Sequence, residues 1–358
     1  MSLSARRIDP SNPENPAHPN ETSVSVACSS GPCKRYRRHG LPRTLGFAAL
    51  SSLVVACSRD ERPTPPQTGA ATQEVALPGA PVVIGAGDIA VCGTSGDEAT
   101  ARLVDSVLTA DSAATIISVV FTAGDNAYPS GAGGVNNYFG RCFSPSWGTT
   151  RIMSLIRPSP GNHDYDSGSG APYFAYFAER AGPSGKGYYS YDVGEWHVIS
   201  LNSELYYSRA TPSEAREQEE WLRKDLGAHR NLCTLAYFHR PLFSSGDHGN
   251  IPEMLPLWAI LFDGGADLVV NGHDHHYERF LPQTPAAVAD SVRGITEIIA
   301  GTGGANLRRV LQPLARNSAA QILGHFGILK LTLGSGEFRH AFLDTDGRVW
   351  DSGGRRCH

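Results

Sequence analysis

Asp267-Leu268-Val269-Val270-Asn271-Gly272-His273-Asp274-His275-His276-Tyr277-Glu278-Arg279 is a short apolar run that stops at a glycine and is followed at once by three histidines. Such a run, bounded by a breaker, reads as a buried strand. Side chains two apart in an extended segment share a face. His273 and His275 therefore point the same way just past a strand end, a spacing poorly suited to core packing and well suited to two adjacent metal ions.

The same arrangement recurs along the chain. The run 82–86 leads into Gly87-Asp88-Ile89-Ala90, and 116–122 into Gly124-Asp125-Asn126-Ala127-Tyr128. Gly161-Asn162-His163-Asp164 follows 156–160, and His239 follows the apolar run 234–238. One Gly-Asp after a strand reads as a turn. Five strand ends that each supply Asp, Asn or His read as a convergent site, because ligands of α/β sheets gather outside the carboxyl ends of their strands. Further strand-like runs at 196–201 and 294–300 alternate with helical stretches at 98–108 and from Thr211 onward, the cadence of an α/β protein. Thr211, Pro212 and Glu214 stand at the N-cap, first and third positions of that last helix, a capping box with proline in the first turn, and Trp221, Leu222 and Leu226 fall on one face of it.

The 358 residues suffice for one large domain or two ordinary ones. A hydrophobic fraction of 41% excludes a mainly disordered chain, and a formal charge of −4 gives no basic footprint for nucleic acid. Residues 1–33 are rich in Pro, Ser and Asn, and Lys34, Arg35, Arg37, Arg38 and Arg43 then precede an apolar run at 45–56. That run is too short to span a bilayer, which needs about 20 apolar residues, and has the form of a signal-peptide core behind a basic region. It ends in Val54-Val55-Ala56-Cys57, which resembles a bacterial lipobox. We therefore expect a leader over 1–57, a Pro-rich tether over 58–80 and a catalytic domain over 81–358, exported to the periplasm or cell surface and anchored by lipid at Cys57. A signal this far from Met1 suggests that synthesis starts at a non-Met codon near Val24 or Val26. Without the leader, 24 Lys/Arg stand against 32 Asp/Glu, a formal charge of −8. An anionic substrate then needs a strong local source of positive charge. Cys92, Cys142, Cys233 and Cys357 remain, which allow three pairings; Cys92 with Cys142 and Cys233 with Cys357 is the pairing we favour, because the first joins two loops beside the ligand motifs.

Taken together, these motifs resemble the calcineurin-like metallophosphoesterases over roughly 82–342, and more narrowly their purple acid phosphatase branch. Asp125 and Tyr128 reproduce that branch's Asp-x-x-Tyr spacing, and the segment from Gly272 to Arg279 matches its last motif. A generic member carries His two residues after the first Asp, where this chain has Ala90; the missing imidazole and the added phenol are a consistent exchange. The resemblance implies a four-layer αββα sandwich. It implies one metal held by Asp88, Asp125, Tyr128 and His275, and a second held by Asp125, Asn162, His239 and His273, with Asp125 shared. Phenolate suits ferric iron, and imidazole with amide oxygen suits a divalent ion such as zinc, manganese or ferrous iron.

The activity implied is two-metal hydrolysis of a small phosphate ester, most simply a monoester, by a coordinated water made acidic by the metals. His163 resembles the family's substrate-facing histidine, and His248 lies in the loop where relatives carry another. Asp164 is expected to orient His163 or a ligand, His276 to line the pocket or support a ligand, and 277–279 to brace the loop. The glycine-rich segment 129–147 is expected to wall the pocket. The alternatives are a phosphodiesterase of the same fold and a surface lipoprotein that binds phosphate or metal without turnover.

Overall fold

Val82, Ile84 and Ala86 face one apolar layer while Val83 faces another, so strand β1 (Val82–Ala86) is buried on both sides. The computed structural model describes residues 77–129, 138–166, 168–207, 211–229 and 233–358. The leader at 1–57 with Cys57, and the tether up to residue 76, lie outside the described residues. Among those described, no helix is long and apolar enough to cross a membrane.

In one sheet β1 lies between β3 (Ser118–Ala123), parallel to it, and β13 (Gly327–Gly334), antiparallel. Outward from β3 comes β5 (Ile156–Ser159), and outward from β13 come β14 (Glu337–Asp344) and β15 (Val349–Arg356). The second sheet runs β12 (Ser318–Ile322), β10 (Tyr277–Phe280), β11 (Thr296–Ala300), β9 (Leu268–Asn271), β8 (Cys233–Tyr237), β7 (Trp196–Ser200) and β6 (Tyr189–Val193). Its β7, β8, β9 and β11 are parallel.

Three apolar layers result. Val83, Phe121, Leu235, Val270, Ile298 and Leu329 are among the residues that fill the space between the sheets. Helices α1 (Gly96–Ala113), α2 (Thr150–Leu155) and α3 (Ala171–Phe177) bury Val104, Leu108, Ile152 and Phe177 against the first sheet. Helices α4 (Pro212–Ala228) and α5 (Leu255–Asp263) bury Leu222, Leu226, Trp258 and Leu261 against the second. Each such side chain removed from water contributes about 1.5–3 kcal/mol. The order helix, sheet, sheet, helix is the four-layer sandwich expected from the sequence. Glu214 reaches back to the Thr211 N–H (2.7 Å) at the start of α4, and Trp221 sits at the edge of the buried stripe rather than in it, against Tyr188.

Cys92 pairs with Cys142 and Cys233 with Cys357, the combination favoured above. The segment 129–147 departs from expectation. Phe139, Phe143 and Trp147 are fully buried beneath the first sheet, so its described second half is core rather than pocket wall, while Pro129 at its start reaches the site. Phe139 and Phe143 bracket a single helical turn, and Trp147 follows in the turn after it, all three packed in one apolar cluster.

Candidate metal centre

The carboxyl ends of β1, β3 and β5 in one sheet and of β8 and β9 in the other meet at one rim of the sandwich, and the turns after them carry the polar residues read from the sequence. A two-stranded parallel ladder, β2 (Ala90–Val91) with β4 (Ala127–Tyr128), joins the first two turns. The Asp88, Ile89 and Ala90 N–H groups donate to the Gly124, Asp125 and Asn126 carbonyls at 3.0 to 3.1 Å. These bonds hold Tyr128 beside Asp88.

Three site residues adopt left-handed backbone: Asp88 (φ 60°), Asp125 (φ 49°) and His273 (φ 72°). That conformation costs a non-glycine residue roughly 1–3 kcal/mol, and such strain collects at functional sites. The preceding glycines allow the turns to close. A Cβ on Gly272 would lie 2.6 Å from both Asp88 Oδ2 and the Ala123 carbonyl, and one on Gly161 would overlap the Asp125 carboxylate.

Asp88 and Asp125 divide their oxygens in the same way. Asp88 Oδ2 accepts the His273 N–H (2.7 Å) and Asp125 Oδ1 accepts the His163 N–H (2.8 Å). Each inner oxygen is left for the site. Tyr128 Oη lies 2.8 Å from Asp88 Oδ1, 3.0 Å from Asp125 Oδ2 and 3.2 Å from His275 Nε2, and His275 Nε2 lies 3.3 Å from Asp88 Oδ1. On the other side, His239 Nε2 is 3.2 Å from Asp125 Oδ2, 3.2 Å from Asn162 Oδ1 and 3.1 Å from His273 Nδ1. Two quartets of donor atoms thus share one atom, Asp125 Oδ2.

These separations fit metal coordination. Bonds of about 2.0–2.2 Å place neighbouring ligand atoms about 3 Å apart. The imidazoles are oriented for it: His239 Nδ1–H donates to the Ala123 carbonyl (2.9 Å) and His275 Nδ1–H to that of Asn306 (2.8 Å), which leaves both Nε2 lone pairs facing inward. Lone pairs of His239, Asn162 and Asp125 then confront one another, an arrangement that calls for a cation. Asp88, Asp125 and His239 also form a buried group whose ligand atoms lie within 4.8 Å of one another.

The electrostatics agree. Burial lifts the Asp125 carboxyl, but His239 beside it outweighs burial and holds it well below the carboxylate range. Reciprocally, burial lowers His239 and Asp125 overcomes it, so the imidazole is raised. The raised value reflects the Asp125 and Asp88 carboxylates that face the ring, and a cation bound there displaces that proton and takes up the Nε2 lone pair. Burial, then His239, Arg240 and His248, push His273 well below its ordinary value, which keeps its imidazole neutral. Burial and the charges of Asp125 and Asp88 push the Tyr128 phenol far up; a bound cation reverses that logic for a coordinating group.

The two candidate substrate-facing histidines also reach the rim. His163 lies over Tyr128 with 4.4 Å between ring centres, its Nε2 4.0 Å from Asp125 Oδ2 and its Nδ1 3.1 Å from Asp166 Oδ2. His248 stacks on His273 at 4.1 Å and is held by Asp274 Oδ1 through its ring Nδ1 (2.9 Å) and its N–H (3.1 Å). Asp164 braces the turns rather than His163: it accepts the Asn126 side-chain N–H (2.9 Å) and the Gly161 N–H (2.9 Å). His276 contacts Glu278 (3.1 Å), which in turn accepts the Ser245 N–H (2.8 Å). Tyr277 and Arg279 both bind Asp351 at 2.7 Å, fastening the motif to β15.

Sequence reading missed four residues at the rim. Arg240, next to His239, forms a two-pronged pair with Glu204 (2.8 and 3.0 Å) and points Nη1 at His273 Nε2 (3.3 Å). Glu204 follows β7, so the strand-end pattern could have drawn attention to it. Asp274 lies inside the histidine motif, and Arg308 sits at the rim in a loop without periodicity.

A metallophosphoesterase is what this fold and donor set define, and the description calcineurin-like phosphoesterase matches the chain over residues 81–277. The chain belongs to that family. It is 34% identical over 112 residues to purple acid phosphatase 15 of Arabidopsis thaliana, covering 30% of this chain and 20% of that protein. It is 27% identical over 246 residues to acid phosphatase type 7 of Homo sapiens, covering 56% and 55%. The chain therefore spans about half or less of the length of these relatives. The solved purple acid phosphatase PPD1 from yellow lupin (Lupinus luteus) seeds matches 82% of this chain and 55% of its own at a TM-score of 0.64 and 20% identity, a likeness of fold.

Proposed function

We propose that this chain hydrolyses phosphate monoesters at a binuclear centre of Fe(III) and a divalent ion, zinc, manganese or iron. The observation that carries this reading is the sharing of Asp125 Oδ2 between two donor quartets, of which only one contains a phenol. Asp88, Asp125, Tyr128 and His275 form the harder set for the ferric ion; Asp125, Asn162, His239 and His273 form the set for the divalent ion. When bound, such a pair supplies an acidic water as nucleophile and positive charge facing the phosphoryl oxygens. That charge is what an acidic protein otherwise lacks.

The chain's own residues do the rest. His163 stands at the open side of the cluster, and Asp166 orients its ring through Nδ1, which leaves Nε2 to give its proton to the leaving oxygen as the phosphorus–oxygen bond breaks. His248, fixed by Asp274 and by stacking on His273, contacts a phosphoryl oxygen. Residues 81–358 form the catalytic domain, and the signal-like segment ending at Cys57 supports export with a lipid anchor. The test is kcat/KM of the purified full chain for p-nitrophenyl phosphate against bis(p-nitrophenyl) phosphate. The monoester is expected to be preferred; a strong preference for the diester overturns the monoesterase reading in favour of a phosphodiesterase.

A further inference from the structure

Two arginines flank the donor cluster, and they are not equivalent. Arg240 is neutralised by Glu204, which grips its guanidinium at 2.8 and 3.0 Å. Arg308 has no ion pair with a carboxylate among the described residues. Its backbone N–H donates to the His275 carbonyl (2.9 Å), and its Nη1 lies 3.3 Å from His248 Nε2. The loop carrying it is pinned again at Ser245, whose carbonyl accepts the Leu311 N–H (2.6 Å) and whose hydroxyl accepts the Ala315 N–H (2.8 Å). The backbone of Arg308 is thus pinned at the rim, and its partly exposed guanidinium has no carboxylate partner among the described residues.

Its position relative to the cluster follows from its contacts. His273 Nδ1 belongs to one donor quartet, the His248 ring stacks on His273 at 4.1 Å, and the Arg308 guanidinium contacts His248. Arg308 thus stands at the rim against both His248 and the backbone of His275, beside the place a phosphoryl group at the cluster would take. A second anion so close to the first is repelled by an acidic protein unless a fixed cation receives it. A guanidinium does so with two parallel N–H bonds to a phosphate or carboxylate.

We propose that Arg308 is a specificity-determining residue that binds a second anionic group on the substrate, next to the phosphoryl group under attack. The proposal rests on the phosphatase reading of the cluster and deepens it. Phosphate esters that carry a second anionic group beside the first are accordingly preferred over esters of neutral alcohols.

The experiment compares wild type, Arg308→Ala and Arg308→Lys, each as the metal-loaded full chain. Calorimetry measures affinity for inorganic phosphate and for pyrophosphate, and kinetics measures kcat/KM for p-nitrophenyl phosphate. Arg308→Ala is expected to weaken pyrophosphate at least about tenfold more than it weakens phosphate or lowers kcat/KM for the nitrophenyl ester. Arg308→Lys should fall between, because lysine keeps the charge and loses the fork. An unchanged pyrophosphate affinity in Arg308→Ala, or equal losses for both anions shared by Arg308→Lys, overturns the proposal. A wild type that binds pyrophosphate through Arg308 yet cleaves no ester would uphold the subsite and sink the phosphatase reading instead.

Discussion

The Tyr128 hydroxyl stands between two carboxylates, 3.0 Å from Asp125 Oδ2 and 2.8 Å from Asp88 Oδ1. A buried phenol in that setting resists ionisation, and a strongly charged cation at the same point is what turns it into a ligand. The purified protein is therefore expected to contain iron and to show a broad tyrosinate-to-Fe(III) band, and Tyr128→Phe to abolish the band and lower the iron content while the fold survives. A colourless but fully active wild type holding two divalent ions would remove iron from the account.

His163 predicts a dependence on the leaving group. If its proton goes to the departing oxygen, His163→Ala lowers kcat by about 10²-fold or more for an alkyl phosphate. The loss should be much smaller for p-nitrophenyl phosphate, whose leaving group needs no proton, and metal content should not change. Equal losses on both substrates, read from steady-state kinetics, would assign His163 to phosphate binding alone.

Away from the rim, His197 is buried on β7 between Asp192 of β6 (2.9 Å) and Asp225 of α4 (2.7 Å), and it stacks on His229 at 3.8 Å. Burial lowers its pKa, but Asp225 and Asp192 outweigh burial, so the folded value lies above the ordinary one. Its contribution to stability is then complete below the unfolded pKa of about 6.5 and is lost as pH rises through the folded value. Urea denaturation should show a gap between wild type and His197→Gln that is widest below about pH 6.5 and narrows above it. A gap independent of pH contradicts the protonated latch.

The parts of the site legible in the sequence are those whose donors stand next to a strand end. Asp88, Asp125, Asn162, His239, His273 and His275 each lie within a few residues of an apolar run, so local pattern located them. The Arg240–Glu204 pair was hidden because it depends on β7 and β8 being neighbours in the sheet, which joins residues 36 positions apart. Arg308 reaches His248 across 60 positions, and nothing local signals that return. In 129–147, glycine content masked the aromatic spacing of Phe139, Phe143 and Trp147, so a core segment read as a loop.

Asp125 carries the central claim, since one of its oxygens belongs to both quartets. Replacing it by Asn keeps the shape of the side chain and removes the shared negative charge. The decisive measurement is kcat/KM for p-nitrophenyl phosphate in Asp125→Asn against wild type, with metal content determined on the same samples. The account predicts a loss of about 10³-fold or more together with loss of metal; a variant that keeps wild-type activity would contradict it.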